Sequence, residues 1–184
     1  MRLYRQSVED HGLYVGKELD EGQMSDLRTS AGQLSAKMRA VRIVSASGVS
    51  KSELERRLIQ KGEAPQQAKE AVAWMEGLEL LDDAKTAEHI VQSCAAKGYG
   101  LARAKQALYE KRIPKSYWEA ALQDYPNQGE YILSFLQTKL KDAQDPKQLR
   151  KVMDALIRRG HSYRDIRHAL DELNVETDGF QEED

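Results

Sequence analysis

The sequence predicts an all-α protein of tandem three-helix repeats in an elongated array, and three observations carry that reading. Its 184 residues include only four prolines and twelve glycines, with 40% apolar and 32% charged residues. That composition suits surface-rich helices and not sandwiches or disordered chains. Two Phe and two Trp are too few large side chains to fill one deep core, so several small cores are expected. The third observation is an internal repeat.

The repeat is centred on a cation followed by glycine, at Lys61-Gly62, Lys97-Gly98 and Arg159-Gly160. Leu58, Cys94 and Leu156 stand four residues before the glycines, and Ile59, Ala95 and Ile157 three before. After the glycines, Ala68, Ala104 and Ile166 recur at six residues, Ala71, Ala107 and Ala169 at nine, and Val72, Leu108 and Leu170 at ten. Positions three, four and seven apart share a helical face, so each motif reads as two helices joined by a tight turn. Glycine enters the left-handed region without a Cβ penalty, and the preceding cation meets the negative end of the helix dipole.

In chain order, residues 1–32 are polar and glycine-punctuated, with a candidate helix over Met24 to Thr29. The first repeat is placed at 33–80, around Gly62. The second, 81–124, starts at Asp82-Asp83, where Asp caps a helix, and includes Ser116 to Gln123 with Trp118, Ala121 and Leu122. The third, 125–173, includes Glu130 to Lys141 with Ile132, Leu133, Leu136 and Leu140, and a helix start at Asp145-Pro146. That makes roughly nine helices from 33 to 173, stacked so that each unit contacts mainly its neighbours. Residues 174–184 carry five acids and are expected to be frayed or disordered.

Charge follows the repeat. The net formal charge is −2, yet segments 33–61 and 97–115 each carry +5 and 146–173 carries +3, with acidic segments between them. The small total argues against coating nucleic acid by bulk electrostatics. The candidate partner-binding cations are Lys97, Arg103, Lys105, Lys111 and Arg112 in the second unit. In the third they are Arg150, Lys151, Arg158, Arg159, Arg164 and Arg167. Arg56, Arg57 and Lys61 form the first band. Together such bands suit an acidic partner surface or DNA phosphates.

Other chemistries lack their residues. No metal site is expected, since His89 and Cys94 point to different helix faces and His161 and His168 have no third ligand nearby in sequence. No catalytic residue and no cofactor are expected. Asp82-Asp83 reads as a cap, and Gly98-Tyr99-Gly100 follows a helix, without the Gly-Lys-Ser/Thr element of a phosphate loop. The lone Cys94 reads as a small core residue, and neither a membrane span nor a signal-peptide core is visible, which fits a reducing cytoplasm. A helix-turn-helix DNA-binding protein is the competing reading, although few base-reading side chains group at the starts of the second helices.

At Lys61-Gly62 after Glu53-Leu54 and Leu58, Leu81-Asp82-Asp83, Lys97-Gly98-Tyr99-Gly100, and Arg159-Gly160-His161-Ser162-Tyr163 with Ile166 and Ala169-Leu170, the chain resembles the RecX family. His11-Gly12-Leu13 to Gly16-Lys17-Glu18-Leu19-Asp20 resembles the segment before the repeats in longer members. The resemblance implies a cytoplasmic modulator of three three-helix repeats that binds filaments of the recombinase RecA on DNA and usually inhibits them. Weak direct contact with single- or double-stranded DNA is a further expectation. His161 stands where similar proteins usually have an aromatic residue. Where they tend to have several arginines before the first repeat, this chain reads Ser45-Ala46-Ser47-Gly48-Val49-Ser50-Lys51, which leaves a basic patch there without support from the sequence.

Overall fold

A computed structural model describes residues 3–46, 48–142 and 145–175, and among these it is helical without strands. The helices are α1 (Arg5–Asp10), α2 (Glu21–Ala46), α3 (Lys51–Gln60), α4 (Pro65–Gly77), α5 (Asp83–Ala96), α6 (Leu101–Glu110), α7 (Trp118–Leu122), α8 (Gly129–Lys139), α9 (Pro146–Arg158) and α10 (Tyr163–Glu172). A 3-10 turn, Lys115–Tyr117, leads into α7.

The repeated glycines sit at φ +91° for Gly62, +65° for Gly98 and +88° for Gly160. Each closes a helix with the same pair of bonds. Gly62 N donates to Ile59 O at 2.9 Å and Glu63 N to Leu58 O at 3.1 Å, and the pattern recurs at Gly98–Tyr99 and Gly160–His161. This is the Schellman arrangement, which satisfies two otherwise unpaired carbonyls.

The second helix of each pair ends the same way without glycine. Glu79, Arg112 and Asn174 take φ of 57°, 54° and 54°, and Leu80, Ile113 and Val175 donate back to Met75, Leu108 and Leu170. A Cβ in that region costs about 1–2 kcal/mol, partly offset by the entropy a glycine would lose. Glu79→Gly is therefore expected to raise the stability of the first unit by about 0.5–1 kcal/mol in urea denaturation. An unchanged midpoint would mean that Glu79 is not strained.

Several helix starts also follow from local chemistry. Asp145 accepts from Lys147 N at 3.0 Å ahead of Pro146, and Asp82 accepts from Ala84 N and Lys85 N at 2.9 and 3.0 Å. Asp83 behaves differently from a local cap. It is buried and accepts from Lys51 N at 2.9 Å, so it satisfies the first turn of α3. Helix α2 starts at Glu21, well before residue 33, because Asp20 and Gln23 form a reciprocal capping pair: Gln23 N donates to Asp20 Oδ1 at 2.7 Å and Asp20 N to Gln23 Oε1 at 3.2 Å. Leu27 and Ala31 give this added stretch its buried side.

The chain divides into two compact units, 1–86 and 87–184. In the first, Ala36, Ala40, Leu54, Leu58, Ala68 and Ala71 are at most 1% exposed within one cluster. Gly32, Ala36 and Ala40 lie four apart on α2, and a Cβ on Gly32 would strike the Gln67 side chain of α4. Small residues therefore let these two helices approach closely. Buried Glu53 is held down to about 2, first by its bond to Arg56, with Arg57 adding to it against the cost of burial.

The second unit holds two clusters. One gathers Ala87, Val91, Leu108 and Ile113 beneath Trp118 and Tyr125. The other gathers Leu136, Leu149, Val152, Met153, Leu156, Ile166 and Leu170 with Val175. Asn174 and Val175, expected in the loose acidic segment, instead close α10. Residues 176–184 of that segment lie outside the described residues.

Candidate functional site

Within the second unit the two cation-glycine turns, more than sixty residues apart in sequence, lie back to back. Gly100 N donates to Arg159 O at 2.9 Å and Ala102 N to Gly160 O at 3.3 Å. A Cβ on Gly100 would meet the Gly160 carbonyl, one on Gly160 the backbone of Arg103, and one on Gly98 the Tyr131 ring. Glycine at these positions thus serves close approach as well as helix termination.

Arg159 caps α9 inside this junction. Its guanidinium lies over the rings of Tyr99, Tyr131 and Phe135, at 5.3, 5.4 and 5.7 Å from their centroids. Its Nε is buried without a partner among the described residues. A planar cation stacked on aromatic faces is held by their quadrupoles. Arg159 is consequently embedded in the junction, whereas most of the other candidate cations are exposed.

His161 completes the contact. It is 6% exposed, stacks on Tyr131 at 5.7 Å and 17°, and places Nε2 at 3.0 Å from Gly98 O. An imidazole so placed fills an aromatic position while its Nε2–H donates to the carbonyl. Tyr125 O–H donates to Tyr99 O at 2.6 Å, and burial pushes that phenol up to about 12.

Burial holds His161 below its ordinary value of 6.5. The Gly98 bond opposes that shift, the Arg159 cation adds to it and Asp165 opposes it. A depressed folded value means that the unfolded chain takes up the proton first. The stability contributed by neutral His161 is therefore complete only well above 6.5 and declines as pH falls through that value. Thermal unfolding of the parent should drop between pH about 7.5 and 5, and His161→Phe, which retains a ring against Tyr131, should give a flatter profile. Parallel profiles would place the dependence in another group.

The remaining sequence-derived candidates are distributed as follows. Lys97 is exposed at the α5 cap, and Arg103 is half-buried and pairs with Glu110 at 3.0 Å. Lys105 is exposed on α6, with exposed Lys111 and Arg112 at its end. Arg150, Lys151 and Arg158 are exposed on α9, opposite buried Leu149, Val152, Met153 and Leu156. Arg164 and Arg167 are exposed on α10, and among the described residues Arg164 has a nearby acid, Asp165 at 3.8 Å, whereas Arg167 forms no ion pair.

Two grooves gather some of these cations. A groove of about 620 Å³ beside the turn junction brings together Lys105 and Arg164 with Tyr125, His161, Ser162 and Asp165. Another, of about 560 Å³, sets Lys139, Lys147 and Lys151 around Phe135, Val152 and Ala155. The structure does not bring Lys97, Lys111, Arg112, Arg150, Arg158 or Arg167 into either groove. Lys139 and Lys147 were not singled out from the sequence. Lys139 ends α8 and Lys147 stands in the first turn of α9, and no periodic signal connects them.

Among the described residues no cluster of His, Cys, Asp or Glu could hold a metal ion, and no helix is long and apolar enough to cross a membrane. Cys94 is buried, and burial raises its thiol, so it packs as a core residue.

Comparison with known proteins gives these features a family. A model described as "RecX, second three-helix domain" matches residues 82–122, the span from the Asp82 cap through α7. The crystal structure of RecX from Lactobacillus salivarius is 21% identical, with a TM-score of 0.69 over 80% of this chain and 99% of that one. A second structure, of regulatory protein RecX, is 21% identical, with a TM-score of 0.68 over 92% of this chain and 86% of its own. These two likenesses are of fold. The regulatory protein RecX of Vibrio parahaemolyticus serotype O3:K6 (strain RIMD 2210633) is 30% identical over 147 residues, covering 78% of this chain and 94% of its own length. A match of that identity along nearly the whole of a relative, joined to the same helical fold, means that this chain belongs to the RecX family of regulatory proteins.

Proposed function

We propose that the chain binds RecA filaments assembled on DNA in the cytoplasm and inhibits their recombinase and ATPase activities without catalysing a reaction itself. The observation that carries this reading is the set of exposed cations on α6, α9 and α10. Lys105, Arg150, Lys151, Arg158 and Arg167 all reach solvent and make no ion pair among the described residues. They lie opposite apolar stripes already consumed by the core, so folding does not require their charge. Cations without intramolecular partners attract an acidic groove and accelerate encounter with it.

The helix-turn-helix alternative is weaker for this unit. A recognition helix presents its first turn to base edges, but the start of α6 is occupied by the Arg159-Gly160 backbone.

Titration of the purified chain into RecA on single-stranded DNA tests the proposal. DNA-dependent ATP hydrolysis and strand exchange should both fall as it is added. Unchanged rates at saturating concentrations, with the chain absent from pelleted filaments, would sink the reading.

A further inference from the structure

The first unit contains a cationic pocket that has no part in the preceding proposal. It has a volume of about 520 Å³ and is lined by Arg39 and Arg42 of α2, Arg57 of α3 and Lys61 of its cap, with Tyr4, Ile43 and Ala46 completing the wall. The stretch 45–51, where arginines are missing, gave no sign of it. The cations come from either side of that stretch.

Four like charges so close would repel unless held in place, and two of them are held from behind. Arg39 Nε lies 2.8 Å from Glu63 Oε1, a side chain 7% exposed, and Arg39 Nη1 donates to Lys61 O at 2.7 Å. Arg57 Nε lies 2.7 Å from Glu53 Oε1, a side chain 6% exposed that also binds Arg56. These contacts occupy only some of the five N–H donors on each guanidinium. Arg42 and Lys61 form no ion pair among the described residues, so the pocket combines two anchored cations with two uncommitted ones.

We propose that this pocket is a binding site for the phosphate groups of a nucleotide or of a single-stranded nucleic acid. Four cationic side chains converging from two helices suit a tetrahedral oxyanion with several acceptor oxygens better than a planar carboxylate with two. The Tyr4 ring and the apolar Ile43 and Ala46 give an adjoining base or sugar a surface to lie on. The net charge of −2 is no obstacle, because a few local contacts suffice for a weak site whereas coating a duplex does not depend on one pocket.

The test uses the full chain without recombinase, so its outcome is independent of the RecA proposal. Fluorescence anisotropy follows a labelled oligothymidylate, and calorimetry follows tripolyphosphate and ATP in the absence of metal. The double variant Arg42→Glu with Lys61→Glu avoids both anchored arginines, and Arg42→Ala guards against misfolding by charge reversal. The double variant should weaken binding at least about tenfold at low salt. It should also flatten the logarithmic salt dependence of oligonucleotide binding by about 1.4, for two lost contacts. Tyr4→Ala should weaken the oligonucleotide and ATP but leave tripolyphosphate unchanged.

Loss of oligonucleotide binding with free phosphates unbound in the parent would assign the phosphates to a nucleic-acid strand. Loss of ATP binding with the oligonucleotide unbound would assign them to a free nucleotide. Unaltered affinity and salt slope in folded variants, or preferential binding of a polyglutamate peptide, would overturn the site.

Discussion

Gly100→Ala is expected to destabilise the unit spanning 87–184 by about 2–3 kcal/mol, as overpacking against an unyielding backbone does. At Gly100 the backbone is extended, with φ −75° and ψ 166°, so alanine carries no conformational penalty there. The entire cost comes from the Cβ meeting the carbonyl of Gly160 and the amide of His161. Backbone cannot rotate away as a side chain does, so relief requires separating the turns and losing the bonds from Gly100 to Arg159 and from Ala102 to Gly160.

Gly129→Ala, in the same unit, meets only the Asn127 side chain at ordinary contact distance and serves as the control. Gly62→Ala should cost about 1–2 kcal/mol, since open space surrounds it and only its left-handed φ is violated. Urea midpoints would rank the three variants. A Gly100→Ala protein as stable as Gly129→Ala would mean that the two turns do not pack as described.

The second large effect is functional. Reversal of Lys105, Arg150, Arg158 and Arg167 to glutamate should weaken inhibition of the recombinase by about tenfold or more at low salt. An exposed ion pair contributes only about 0.2–1 kcal/mol, so single changes should be nearly silent while four compound. The difference should shrink as salt rises toward molar concentration, where screening acts within a few ångströms. Arg159 is excluded from the set because its removal would empty the space between Tyr99, Tyr131 and Phe135 and confound binding with folding.

Acids make informative controls only when they are not structural. Glu63 and Glu76 pair with Arg39 and Lys51, so reversing them would disturb the first unit. Glu119 and Asp154 are exposed in the second unit, and their reversal should leave inhibition intact or strengthen it. If the folded fourfold variant inhibits as well as the parent at low salt, these cations do not form the contact surface, although family membership is unaffected.

The sequence by itself determined what depends on neighbours along the chain. Spacing around Gly62, Gly98 and Gly160 determined the helix pairs, because a Schellman turn and an apolar stripe are both built within a dozen residues. Asp82 and Asp145 marked helix starts for the same reason. Endings at Glu79 and Arg112 were not legible, since Glu and Arg disfavour the left-handed conformation they adopt there, whereas Asn174 tolerates it. The early start of α2 was legible in principle from Asp20 and Gln23, but the polar residues around them obscured it.

Only tertiary structure decided which repeated features meet. Arg159 and Lys97 look equivalent in sequence, yet one is enclosed by three aromatic rings and the other is exposed. His161 reads as an isolated histidine until Tyr131 and the Gly98 carbonyl are placed against it. Arg39, Arg42, Arg57 and Lys61 become a pocket only when α2 and α3 pack. Local sequence sets backbone conformation through sterics and short hydrogen bonds. The environment of a charge is set by groups distant in the chain, and packing of the helices brings them together.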